Sequence, residues 1–161
     1  MDNPPDTDPR PRLVGVNHVA LEVGDLEAAL AFYGAIFAFT LRGRAEKMAF
    51  LDMGDQFLAL AETPAAAARP ADYRPDGHFG LVVDDRSRAK ALAEAAGARM
   101  IEGSFLDFLD PWGNRVEVVS YADVQFTKAP EVQAGMGLDL SKSEKALRQL
   151  AEKGMNTGAI G

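Results

Sequence analysis

Two side chains in this sequence can serve as nitrogen ligands or as proton carriers near neutral pH. They are His18 and His78, its only histidines. The first stands inside the apolar run Val14-Gly-Val-Asn-His-Val-Ala-Leu-Glu-Val23, and the second heads the run His78-Phe-Gly-Leu-Val-Val-Asp84. In each case acidic residues and a helix-like segment follow at once. A randomly placed histidine would fall within a residue of the equivalent position in roughly one case in fifty, so the internal repeat ties the two together. A solitary strand histidine is more often a hydrogen-bonded structural residue. The repetition argues instead for a pair with one task. Cysteine is absent, which excludes disulfides, thiolate nucleophiles and cysteine-ligated zinc, and permits an intracellular location.

The elements that must carry these residues follow from periodicity. Leu13 to Val23 alternates as a strand, with His18, Ala20 and Glu22 on one face and Val19, Leu21 and Val23 on the other. Asp25 is a suitable N-cap for a helix whose apolar positions include Leu26, Ala29, Leu30, Tyr33 and Ile36. Short strands then come in succession: Phe39 to Arg42, Lys47 to Met53, and Gln56 to Glu62 after the turn Gly54-Asp55. The result is a βαβββ module over residues 12–62. Residues 63–77 hold three prolines and read as a linker without regular structure. A second module over residues 78–121 repeats the order, with a helix capped by Asp85 or Ser87 and stopped at Gly97, then strands at 98–101, 104–109 and 115–120. Residues 1–11, rich in proline and aspartate, are expected to form a disordered tail. Residues 122–161 form an extension with one predicted helix, because Ser141-Lys-Ser-Glu144 has capping-box spacing and Ala146, Leu147, Leu150 and Ala151 form an apolar stripe.

Bulk properties narrow the function. A chain of 161 residues can bury about two thirds of its unfolded surface, enough for a core without staples. The formal net charge is −7, with a sequence pI near 4.8, and no basic cluster with interleaved aromatics appears. Nucleic acid and anionic membrane are therefore not expected as partners. No apolar run is long enough to span a bilayer and no signal-peptide pattern opens the chain, so a cytoplasmic protein is expected.

With these pieces in order, the sequence resembles the vicinal oxygen chelate superfamily, which holds glyoxalase I, extradiol dioxygenases, methylmalonyl-CoA epimerase, and fosfomycin and bleomycin resistance proteins. The resemblance rests on Asn17-His-Val-Ala-Leu-Glu-Val-Gly-Asp-Leu26 with Phe32-Tyr33, on Gly77-His-Phe-Gly-Leu-Val-Val83, and on Asp110-Pro-Trp-Gly-Asn-Arg-Val-Glu117. It spans about residues 13 to 121. It implies an α+β fold of two βαβββ modules whose eight strands curl into a partly open barrel, with the C-terminal helical extension added. The resemblance also implies a homodimer, a small-molecule substrate and a divalent metal in the cleft. Carried over by position, the metal ligands are His18, His78 and Glu117. Two imidazoles and a carboxylate suit Fe(II), Mn(II), Zn(II) or Ni(II), with coordination positions left for water or substrate oxygens.

Departures from the family pattern are informative. Glyoxalase I carries a further glutamate in the last strand of its first module. Here that setting reads Leu58-Ala-Leu60, so either Leu58 or Ala59 stands where the carboxylate would be. Asp107 occupies the place expected for the tyrosine of extradiol dioxygenases, which disfavours catechol cleavage. Proton abstraction next to a carbonyl needs a base, for which Glu62, Glu22 and Asp52 are candidates. Arg115 shares a strand face with Glu117 and is expected to pair with Glu22 or to bind a substrate carboxylate. Trp112 is expected to pack locally on its turn. The resulting expectation is a metal-dependent enzyme, of isomerase or lyase type or of dioxygenase type, in which the metal acts as Lewis acid. The alternative is a metal-free drug-sequestering protein of the bleomycin resistance type.

Overall fold

The computed structural model describes residues 11, 12 and 14–155; the expected tail, but for residue 11, lies outside them. The first module runs β1 (His18–Val23), α1 (Leu26–Ile36), β2 (Leu41–Ala45), β3 (Met48–Asp52) and β4 (Phe57–Glu62). The second runs β5 (Phe79–Val83), α3 (Arg86–Ala95), β6 (Arg99–Ile101), β7 (Leu106–Leu109) and β8 (Arg115–Ser120), with the short helix α2 (Pro64–Ala67) between them. Helices α4 (Pro130–Gly135) and α5 (Glu144–Glu152) follow. The strands form two four-stranded sheets of the same topology, β1-β4-β3-β2 and β5-β8-β7-β6. In each, the first and last strands of the module pair in parallel and the remaining pairs are antiparallel.

Each strand-to-helix corner is closed by an aspartate whose carboxylate accepts a backbone N–H of the first turn: Asp25 from Ala28 and Asp85 from Arg88. That satisfies donors the helix itself leaves open. The helices cover one face of each sheet and α1 packs on α3. A single core therefore crosses the modules, taking Leu21, Val23, Leu26, Tyr33, Leu58 and Leu60 from the first and Leu106, Phe108, Val116 and Val118 from the second. Phe108, with no exposed surface, points into this core.

The turn Asp110-Pro-Trp-Gly-Asn114 is the bolt between the modules. Asp110, with no exposed surface, accepts from the Tyr33 hydroxyl at 3.0 Å, from Trp112 N and Asn114 N at 2.9 Å each, and from Asn114 Nδ2 at 2.7 Å. Asn114 Nδ2 also donates to Glu22 O at the end of β1. Trp112 does not pack only on its own turn. Its indole lies so close to Gly24 that a Cβ there would sit 2.4 Å from Nε1.

Two expectations for the connecting segments are corrected. The linker contains α2, because Pro64 stands in its first turn, where a missing N–H costs nothing, and Thr63 caps it. The extension holds two helices, and α5 is capped by Ser143 rather than Ser141. This extension wraps back onto the first module. The Lys128 ammonium donates to Met53 O at 2.7 Å and pairs with Asp55, while Val132 and Met136 press on Gly54. No helix among the described residues is long and apolar enough to cross a membrane.

Candidate functional site

The faces of the sheets turned away from the helices carry the residues with chemistry. On the second sheet, Gly80 pairs with Glu117 and Asp107 lies directly opposite Glu117. Cross-strand partners share a face, as do residues two apart on one strand. Glu117, Asp107 and Arg115 therefore stand together, with His78 just before β5. Gly80 brings no side chain, and a Cβ built there meets nothing within 4 Å, so the space above Glu117 stays open.

His78 Nε2 and Glu117 Oε2 are 3.3 Å apart, with the side chains 41% and 19% exposed. Both histidines turn Nδ1 to an oxygen: His18 to Asn17 Oδ1 at 2.8 Å, His78 to Asp76 O at 3.4 Å. A protonated Nδ1 bonds an oxygen acceptor, and in the neutral ring that tautomer puts the lone pair on Nε2, as a metal ligand needs. An imidazole lone pair facing a carboxylate calls for a cation or a proton between them. Two cis donors with metal bonds of about 2.1 Å sit roughly 3.0–3.4 Å apart, and the His78/Glu117 pair meets that spacing.

His18 is not brought to this pair within one chain. It stacks flat on Phe57, with ring centroids 4.7 Å apart, on the open face of the first sheet. Among the described residues no group of three His, Asp or Glu side chains could hold a metal ion. A chain alone brings His78 beside Glu117 and holds His18 elsewhere, on Phe57.

The strand registers resolve the ambiguity at Leu58 and Ala59. His18 pairs with Phe57, and by the same count His78 stands level with Arg115, so Ala59 is the counterpart of Glu117 and Phe50 that of Asp107. The duplicated faces have thus diverged. The first presents Phe50 edge-on to Phe57, with Arg42 over the Phe57 ring; the second presents carboxylates and a guanidinium.

The expected bases are engaged elsewhere. Glu62 Oε2 accepts the backbone N–H of Leu26 at 3.0 Å and lies on the helix-covered face, where it caps α1. Glu22 is on the open face, but its carboxylate is held by Arg69 at 3.0 Å. Asp52 accepts from Gly54 N in its own turn. Arg115 pairs with Asp107 rather than with Glu22. Its Nε and Nη2 both reach Asp107 Oδ2, at 2.9 and 2.5 Å. Asp107 was noted in the sequence only as a departure. The signal available there was an acid inside the apolar run Phe105-Leu-Asp-Phe-Leu109, which demands a cation partner once the strand is buried.

Two βαβββ modules of one topology sharing a single core define an α+β class of proteins built from a repeated unit. The chain matches the family model of the Glyoxalase/Bleomycin resistance protein/Dioxygenase superfamily over residues 15–118, and it belongs to that family. It is 28% identical over 113 residues to the glutathione transferase FosA of Serratia marcescens, covering 66% of this chain and 80% of that protein. Among solved structures, a lactoylglutathione lyase from Agrobacterium tumefaciens is 25% identical with a TM-score of 0.52, over 70% of this chain and 96% of the other. The fosfomycin resistance protein FosX of Listeria monocytogenes, in complex with Mn(II) and 1S,2S-dihydroxypropylphosphonic acid, shares the fold at 19% identity, TM-score 0.54, over 66% and 90%.

Proposed function

We propose that this protein is a metal-dependent enzyme acting on a small oxygenated substrate, and that its metal site is completed between two copies of the chain. The observation that carries the reading is the His78/Glu117 pair: adjacent donors 3.3 Å apart on a sheet, with no third His, Asp or Glu side chain placed to share a metal with them among the described residues. His18 of a second copy is the remaining ligand. Its side chain is exposed, and the Asn17 contact and the stack on Phe57 fix its ring.

Fe(II), Mn(II), Zn(II) or Ni(II), held by this set, supplies a Lewis acid for a substrate oxygen. The chain's own residues do the remainder. Phe50 and Phe57 offer an apolar wall for the substrate body, and Gly80 leaves room over Glu117. The ion pair of Arg115 with Asp107 keeps the guanidinium from competing for Glu117. The superfamily contains both lyases and dioxygenases, and the family of reactions supported here is activation of a carbonyl or hydroxyl oxygen at the metal.

Mixed dimers test the reading. Chains carrying His18→Ala and chains carrying Glu117→Ala are co-expressed with different tags, and metal is measured in the dual-tagged species and in each variant alone. A shared site predicts no stoichiometric metal in either variant and one intact site per mixed dimer, half the wild-type content. Mixed dimers as empty as the parents would refute the shared site. A wild-type chain that takes up none of the four metals would instead match a metal-free binder of the bleomycin resistance type.

A further inference from the structure

The C-terminal extension seats itself on the turn that underlies His18. The Lys128 side chain is only 7% exposed, and an ammonium taken out of water must be matched by acceptors. It finds them on the first module, in Met53 O at 2.7 Å and in the Asp55 carboxylate, with the Phe126 ring centroid 5.7 Å away. The hydrogen bond from Lys128 holds the Asp55 carboxyl below its ordinary pKa range. Helix α4 closes on the same turn, since a Cβ on Gly54 would sit 2.6 Å from Met136 Sδ and 3.0 Å from Val132 Cγ1. The other end of this brace is fixed to the second sheet. Tyr121 follows β8 directly, and its N–H donates to Val83 O at the end of β5. Its hydroxyl accepts from Lys128 N at 3.3 Å and from Gln133 Nε2 at 3.2 Å, and Gln133 Nε2 also donates to Lys128 O at 2.9 Å. Lys128 is thus held in place from the strand that carries Glu117.

From the turn the contacts run on to the imidazole. Met53 N donates to Gln56 O at 2.9 Å, Gln56 Nε2 donates to Val16 O at 2.6 Å, and Phe57 N donates to Asn17 O at 3.2 Å. Asn17 and Phe57 are the residues that hold the His18 ring, one through Nδ1 and the other through the flat stack. Val14 and Val16 are 99% and 62% exposed, so the segment before His18 has little burial of its own to fix it. A hairpin tip or a chain segment with few buried contacts opens easily, whereas a ligand has to be held to within about 0.5 Å to serve a metal.

We infer that Lys128 is a positioning residue for His18: by clamping the Met53–Gln56 turn it sets where the imidazole offered to a second copy stands. The purpose of that placement rests on the proposed metal site, whereas the contacts that achieve it lie within one chain. The brace begins beyond residue 118, where the family match ends. One of its ends is on the strand of Glu117 and the other beside His18, so each copy presents its two sets of donors at a fixed spacing.

With only two histidines in the chain, the ring itself can be watched. A ring stacked face to face on Phe57 has its proton resonances moved upfield by the phenyl ring current. Imidazole resonances of the full-length, metal-free protein are recorded at about pH 8, where free histidine is neutral, and assigned with His78→Ala. In Lys128→Met, which keeps the buried stem and removes the ammonium, the His18 resonances should move toward those of an unstructured histidine. The nuclear Overhauser contact between His18 and Phe57 should vanish, while the His78 resonances stay in place. Gln56→Ala cuts the relay beyond the turn and should give the same shift. Lys128→Arg still donates to both acceptors and should restore the wild-type spectrum, and Tyr33→Phe, a change away from the brace, should leave both rings unmoved. Zn(II) titrated into Lys128→Met should bind about tenfold or more weaker than to wild type, the range for losing support behind a ligand. His18 resonances unmoved in either Lys128→Met or Gln56→Ala overturn the inference, as does an equal shift of His78, which would mean general loosening. Should Lys128→Met not fold, Asp55→Ala, at a half-exposed side chain, takes its place with the same expected shift. Wild type that takes up none of the four metals overturns the metal-site reading, and the ring resonances still decide whether Lys128 positions His18.

Discussion

Replacing Tyr33 by phenylalanine removes one hydroxyl from the junction of the two modules and leaves the ring, which is fully buried, in place. The bond lost is the 3.0 Å donation to Asp110 Oδ2. A hydrogen bond to a charged group is worth roughly 1.5–3 kcal/mol. Asp110 keeps three donors, from Trp112 N, Asn114 N and Asn114 Nδ2, so the cost falls toward the lower end, about 2 kcal/mol. For a domain of this size that lowers Tm by about 4–8 °C. Asp110→Ala strands all four donors and should cost about twice as much. In the Asp110→Ala background the Tyr33→Phe change should then cost almost nothing, a coupling that a double-mutant cycle in urea reads directly. The same contact sets the alkaline limit. Burial, and then the Asp110 carboxylate beside it, hold the Tyr33 phenol well above its ordinary pKa. A raised folded pKa means that the folded state keeps its proton longer than the unfolded chain. Its stabilisation is therefore whole below about pH 10 and is lost as pH rises beyond that, and Tyr33→Phe should flatten that loss. Tyr33→Phe unfolding at the wild-type urea midpoint, with Asp110→Ala still strongly destabilised, would refute the assignment of Tyr33 as the cross-module partner.

Other consequences can be checked with routine measurements. Gly24→Ala places a Cβ 2.4 Å from Trp112 Nε1 and 2.7 Å from the Ala67 backbone, and overpacking of this kind should destabilise by about 1–3 kcal/mol in chemical denaturation. Lys128→Ala removes the ammonium that joins the extension to Met53 O and Asp55. Limited proteolysis should then cut within residues 122–155 at protease levels that leave wild type intact. Imidazole must be deprotonated to ligate a metal, so metal content should fall on acidification; content unchanged at about pH 4 would point to other ligands.

Much of the architecture was legible because its determinants are local. Strict alternation sorted His18, Ala20 and Glu22 from Val19, Leu21 and Val23, and the buried residues Leu21 and Val23 fall on the predicted side. Asp25 and Asp85 announced their helices by being short acceptors before apolar periodicity. The closeness of His78 and Glu117 was legible for a different reason, the family resemblance, whereas the internal repeat paired His78 with His18, which one chain does not bring into a common group among the described residues. What could not be read was pairing at long range. Tyr33 meets Asp110 from 77 residues away and Lys128 meets Asp55 from 73, and no sequence periodicity encodes which buried donor finds which acceptor. The face of Glu62 could not be read either: its register with Val23 turns it to the helices, where a carboxylate at the α1 N-terminus is favourable.

The divergence of the duplicated sheets has a consequence for any guest held between copies of this chain. A pocket whose opposite sides were alike would let a bound molecule enter either way round. Phe50, Ala59 and Phe57 stand at positions matched one for one by Asp107, Glu117 and Arg115. A guest with a greasy end and an oxygenated end therefore meets unlike surfaces and has a single favourable heading, so stereochemical bias would be built into the walls before any reacting group is in place.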